Sequence, residues 1–141
     1  MSRSADARGY VVDTSALLAY LKGEAGADVV ERLLADPEGV YVSLISLMEV
    51  RYLYLREAGQ QATDEAFILL SQIGLEELEV TRSVLEEAAS IKSRVHLSVA
   101  DAIIAATAKL KGATLIHRDP EFDALKDEMN LMSLPKKTAT K

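Results

Sequence analysis

Tyr10-Val11-Val12-Asp13-Thr14-Ser15-Ala16-Leu17-Leu18 is a short β-favouring run that meets an acid, then two hydroxyl residues, then an apolar helical pattern. The combination predicts a strand, a sharp exit and a helix start. In an open parallel α/β sheet, ligands bind beyond the carboxyl ends of the strands, so Asp13 stands where chemistry would be done. Aspartate is also a strong helix N-cap, and this stretch alone leaves both roles open.

Outward from Asp13, strand and helix patterns alternate. After the strand at 10–12 come helices at 16–22, closed by Gly23, and at 25–35, where Val29, Val30, Leu33 and Leu34 share a face. Asp36-Pro37-Glu38-Gly39 is a turn, and a second strand follows at 40–43. Ser46 opens a helix to about residue 58, with Glu49 at capping-box spacing. A helix at 61–73 turns Ala66, Leu69, Leu70 and Ile73 inward. A third strand is expected at 78–81, then a helix from Ser83 to 94 with Ala88 and Ile91 buried. Ser98 starts the most apolar helix, 99–110, which Gly112 stops. A fourth strand at 114–116 leads into His117-Arg118-Asp119-Pro120 and a short helix near 121–125, and 131–134 is an edge strand. This order predicts an α/β three-layer sandwich: a central parallel sheet of four to five strands with helices on both faces. One domain is expected over 9–134, with a disordered lead-in at 1–8 and a loose basic tail at 135–141.

The 141 residues are 49% hydrophobic, enough for one sizeable core. The chain has no cysteine and only two histidines, His96 and His117, which excludes disulfides, thiolate metal sites and a His-rich zinc centre. No stretch reads as a membrane span or a signal peptide, so a cytoplasmic location is expected. A formal net charge of −6 counts against charge-driven coating of nucleic acid. It does not count against an enzyme that gathers its acids at one metal site.

Asp101 is the most informative acid. Its helical neighbours Ile104, Ala105 and Ala108 are apolar. A buried carboxylate stripped of its partner costs about 3–5 kcal/mol, so Asp101 must be protonated, paired or bound to a cation, unless it merely faces the helix dipole from the first turn. Glu49, among Ile45, Tyr52, Leu53 and Arg56, either completes a capping box with Ser46, pairs with Arg56 or joins a site. Asp119 follows a strand as Asp13 does, and it could equally be a turn acid or a cap; Arg118 beside it is expected to face solvent. In a parallel sheet all four acids can approach one rim. Four carboxylates there repel one another unless a cation sits among them, and Mg²⁺ or Mn²⁺ suits oxygen ligands. Such an ion equips a site for phosphodiester hydrolysis.

The chain resembles PIN-domain ribonucleases of the VapC toxin type. The resemblance spans about residues 10–134 and is carried by Val12-Asp13-Thr14-Ser15-Ala16-Leu17-Leu18, Ile45-Ser46-Leu47-Met48-Glu49-Val50, Leu97-Ser98-Val99-Ala100-Asp101-Ala102-Ile103-Ile104-Ala105 and Leu115-Ile116-His117-Arg118-Asp119-Pro120-Glu121-Phe122. It implies that Asp13, Glu49, Asp101 and Asp119 surround one or two Mg²⁺ or Mn²⁺ ions and cleave RNA. Thr14 or Ser15 would orient a water or an acid. Relatives often carry Thr where His117 stands. The resemblance further implies a homodimer and a cognate antitoxin that enters or flanks the acidic groove. Arg51, Arg56, Arg94, Lys109, Lys111 and Arg118 are candidates to hold phosphates, and Leu53, Tyr54, Phe67 and Leu70 a candidate partner face.

Two other readings compete. An Asp-based phosphatase of the haloacid-dehalogenase type needs a second acid where Ser15 stands, and a phosphoacceptor receiver needs a lysine that the 114–116 strand lacks. Nor does a glycine-rich phosphate loop occur. A catalytically silent PIN-fold scaffold would have little use for four retained acids.

Overall fold

The computed structural model describes residues 9–135. The expected lead-in at 1–8 lies outside the described residues, as does the expected tail beyond Pro135.

Strand β1 (Tyr10–Val12) is short and central. It pairs in parallel with β2 (Val40–Ser43) on one side and β4 (Thr114–His117) on the other, and β3 (Glu76–Leu78) and β5 (Leu131–Ser133) complete the edges. The order is β3-β2-β1-β4-β5, all parallel, which is the expected sandwich with five strands. The chain travels outward from β1 through β2 to β3 and then jumps back to the other side of β1. That reversal makes the carboxyl ends of β1 and β4 a topological switch point, where open α/β sheets generally have their ligand crevice.

Alternation along the central strands builds two cores. Val11 and Leu115 point into one, with Val84, Ala88, Ile91, Ile104 and Phe122. Val12 and Ile116 point into the other, with Leu17, Val30, Leu34, Val50 and Leu70. Central strands covered on both faces have no polar side, which is why they read as unbroken apolar runs.

The first core is roofed by α5 (Arg82–Arg94) and α6 (Val99–Lys111), and the second by α1 (Thr14–Lys22), α2 (Ala27–Leu34), α3 (Leu44–Glu57) and α4 (Gln60–Ile73). Residues 102–108 of α6 are all buried, and four of them are alanine, which lets that helix lie close to the sheet.

Several local expectations are corrected. The third strand lies earlier than 78–81, at Glu76–Leu78, because it follows the register of Tyr41–Ser43. Exposed glutamates are acceptable there since charge protects a sheet edge. Thr81, not Ser83, caps α5, accepting the Val84 N–H at 3.2 Å. Ser43, not Ser46, caps α3, accepting the Ile45 N–H at 3.2 Å, because β2 runs straight into the helix. The Ser46–Glu49 capping box is therefore absent. Leu69 is 41% exposed instead of inward, because the buried face of α4 centres on Thr63, Ala66 and Leu70.

Candidate active site

Asp13 is the first residue beyond β1, and its backbone N–H donates to the Ile116 carbonyl of β4 at 3.0 Å. The ladder thus delivers its side chain to the crevice. The cap is formed: Oδ1 accepts the Ala16 N–H at 2.8 Å, and the Ser15 hydroxyl donates to both carboxylate oxygens at 2.9 and 3.0 Å. Capping and site membership are compatible, because an ionised carboxylate has further lone pairs to offer. Asp13 is 3% exposed, and burial pushes its carboxyl up to about 7, with the Asp101 and Asp119 charges adding to the rise and the cap hydrogen bonds opposing it.

Glu49 stands in the second turn of α3 as a result of the earlier helix start. The Thr14 hydroxyl donates to its Oε1 at 2.6 Å, joining the first residue of α1 to α3. The alternative partner, Arg56, is paired instead with Glu57 at 3.1 Å.

Asp101 occupies the first turn of α6, where the Ser98 side chain accepts its N–H at 3.1 Å. It is half-buried. Its carboxyl rises to about 6, first through desolvation and then through the charges of Glu49, Asp119 and Glu121.

Asp119 begins the 3₁₀ helix Pro120–Leu125 and caps it, Oδ1 accepting the Glu121 N–H at 2.9 Å. Its own N–H donates to Nδ1 of His117 at 3.2 Å. His117 is fully buried, 4.9 Å from the Phe122 ring centre, and its Nε2 has no hydrogen-bond partner among the described residues. A ring that accepts at Nδ1 carries its proton on Nε2 when neutral, and burial pushes the imidazole below its ordinary value. His117 is therefore part of the core and holds the loop that carries Asp119.

The structure thus makes one electrostatic neighbourhood of Asp13, Glu49, Asp101 and Asp119. Among the described residues none of the four is ion-paired to Lys, Arg or His. Arg118, expected in solvent, is only 12% exposed at its side chain and is turned toward Glu24. The donor set, all carboxylate oxygen, suits a hard divalent cation. Among the described residues no three acids or imidazoles are drawn tightly enough to enclose an ion as they stand. The cluster is an open one, with two carboxyls already resisting ionisation.

One member escaped the sequence reading. Glu121 adds to the rise at Asp101, while its carboxylate lies 3.6 Å from His96. Its spacing of two from Asp119 was the available signal. The candidate phosphate binders are engaged elsewhere: Arg94 and Lys109 with Glu128, Arg51 over the Phe67 ring and Lys111 over Tyr41. Of the candidate partner face, Leu53, Tyr54 and Phe67 are partly covered and Leu70 is buried; the exposed apolar residues of α3 are Met48, Tyr52 and Leu55.

Comparisons with known proteins agree with this fold. The PIN domain family model matches residues 10–128. No curated protein matches the chain. Among solved structures, DNA-bound VapBC from Salmonella typhimurium is similar with a TM-score of 0.76 at 17% identity, covering 89% of this chain and 97% of that one. A toxin–antitoxin complex from Klebsiella pneumoniae gives a TM-score of 0.72 at 22% identity, covering 91% and 99%. The Mycobacterium tuberculosis VapC20 structure, described as a sarcin-ricin-loop-cleaving toxin, gives a TM-score of 0.66 at 29% identity, covering 82% and 94%.

Proposed function

The chain belongs to the PIN-domain family, and from that premise we propose that it is a divalent-metal-dependent endoribonuclease, the toxin of a toxin–antitoxin pair. The observation that carries the proposal is the set of four mutually repelling carboxylates at the β1–β4 crevice, with no protein cation paired to any of them among the described residues.

Asp13, Glu49, Asp101 and Asp119 are the residues that would hold Mg²⁺ or Mn²⁺. A bound ion of this kind polarises a phosphodiester oxygen and makes water a nucleophile near neutral pH. The chain's own groups set the stage. Ser15 and the Ala16 N–H fix the Asp13 carboxylate, Thr14 fixes Glu49, and Ser98 and His117 fix the backbones that carry Asp101 and Asp119. Such preorganisation leaves little reorientation to be done when substrate arrives. The net charge of −6 fits a basic antitoxin segment. A homodimer is part of the same reading.

The test is RNA cleavage by the purified protein with Mg²⁺ or Mn²⁺, alongside Asp13→Asn and Asp101→Asn. The VapC20 likeness makes an RNA carrying the sarcin-ricin loop the first substrate to assay. Metal-dependent cleavage by the wild type, lost in folded variants, supports the proposal. Equal cleavage by wild type and variants overturns it. The open state of the cluster is the one feature that favours a non-catalytic scaffold, and a folded wild type that neither binds Mn²⁺ nor cleaves would decide for that reading.

A further inference from the structure

Arg118 stands beside Asp119 yet pairs with none of the four acids. Its guanidinium donates through Nη2 to Oε1 of Glu24 at 2.9 Å and through Nη1 to the Ala25 carbonyl at 3.1 Å. The two side chains are 12% and 20% exposed, so solvent screens this contact far less than a surface pair. The two acceptors, Glu24 and Ala25, lie in the turn between α1 and α2, more than ninety positions from Arg118 in the chain. A guanidinium is a rigid fork, and two fixed acceptors define both its direction and the backbone that bears it.

The same turn is packed from another side. Gly26 has φ +93°, and a Cβ built on it would lie 3.0 Å from the Leu134 side chain. The Leu134 N–H in turn donates to the His117 carbonyl at 2.7 Å. The two residues that lead into Asp119 are thus both tied down: His117 by the chain at the end of β5 and Arg118 by the α1–α2 turn.

We propose that the Arg118–Glu24 pair is a clasp that positions Asp119 and keeps the Arg118 guanidinium off the acid cluster; this rests on the metal-site reading above. Arg118 is a positioning residue. Freed from Glu24, its charge would be drawn from its place next to Asp119 toward the carboxylates of the site and would compete with a divalent cation there.

The experiment uses the full chain and three variants, Arg118→Gln, Glu24→Gln and the double variant. Two quantities are read: Mn²⁺ affinity by calorimetric titration, and amide hydrogen exchange at Asp119, Glu121 and Phe122 in metal-free protein. Support for a metal-site residue is worth about 10- to 100-fold in affinity. Arg118→Gln is expected to weaken Mn²⁺ binding within that range and to speed exchange at those three amides. Glu24→Gln is expected to weaken binding more, because it releases the guanidinium. The double variant should then recover to the level of Arg118→Gln. A pair that only stabilises the fold would lower thermal stability and leave Mn²⁺ affinity and local exchange unchanged, and that result overturns the clasp. If the wild type binds no Mn²⁺, the metal-site reading fails, and exchange decides the clasp alone: faster exchange in Arg118→Gln supports it, and unchanged exchange overturns it.

Discussion

The hydroxyl of Thr14 and the carboxylate of Glu49 lie 2.6 Å apart, so the residue after the strand-end acid orients an acid on another helix. The contact ties the start of α1 to α3 at the mouth of the crevice. It gives the threonine a positional role distinct from that of Ser15, which donates to Asp13.

Thr14→Val is expected to free the Glu49 side chain and weaken Mn²⁺ binding about tenfold, at the low end of the effect of losing a ligand's support. Thr14→Ser keeps the hydroxyl and should restore most of the affinity. The fold should lose only about 1 kcal/mol, the net worth of one hydrogen bond. Mn²⁺ titration of the three proteins checks this, and equal affinities for wild type and Thr14→Val would rule out the orienting role.

Metal-free stability should fall as pH rises from about 4 to about 7. The folded Asp13 carboxyl ionises at about 7, against an ordinary value of 3.8. Between those values the folded chain holds a proton that the unfolded chain has released, which stabilises the fold on the acid side and is lost as pH rises. Asp101, raised to about 6, acts in the same direction. Denaturant melts of wild type and Asp13→Asn at pH 5 and pH 8 measure this, and the variant should show a flatter dependence and the greater stability at pH 8.

Added Mn²⁺ should reverse that trend. Protons and cation compete for the same carboxylates, so the thermal shift caused by Mn²⁺ should be larger at pH 8 than at pH 5.5. A shift independent of pH would place Mn²⁺ away from Asp13 and Asp101.

The Glu128 carboxylate, held at about 2 by Arg94 and Lys109, is a control remote from the crevice. Here the folded value is depressed, so the stabilisation is present above the ordinary 4.5 and fades as pH falls toward 2. Glu128 is partly exposed, and solvent screening limits Glu128→Gln to a loss of about 1 kcal/mol near neutrality. Mn²⁺ affinity should not change.

Gly9→Ala should be the most damaging of the small substitutions. A Cβ at Gly9, φ +85°, would lie 2.1 Å from the Gly39 carbonyl oxygen where β1 meets β2. Relief requires moving a central strand, in addition to a left-handed strain of about 1–3 kcal/mol. A thermal melt within error of the wild type would contradict that close approach.

Much of the architecture could be read from patterns that act over a few residues. Tyr10 to Val12 is a strand because β-branched residues suit a pleat covered on both sides, and Gly112 ends α6 because a left-handed turn favours glycine. Asp13, Asp101 and Asp119 stood out as acids at strand ends or on an apolar helix face, and Ser98 was legible as a cap. Ser46 and Ser43 were not separable in this way. Both are hydroxyl residues before an apolar run, and the choice fell to the point where β2 leaves its ladder.

What the sequence by itself determined is therefore the set of elements and the parallel character of the sheet, since periodicity and capping are local physics, and it singled out the acids as candidates. Which groups meet was decided by the tertiary structure. Thr14 reaches Glu49, His117 turns inward to hold Asp119, and Arg118 abandons solvent for Glu24, all across dozens of intervening residues. The physical reason is the strand order. The jump that seats β4 beside β1 brings these segments together, and burial there makes an unpartnered polar group costly, so Thr14, His117 and Arg118 take the partners within reach.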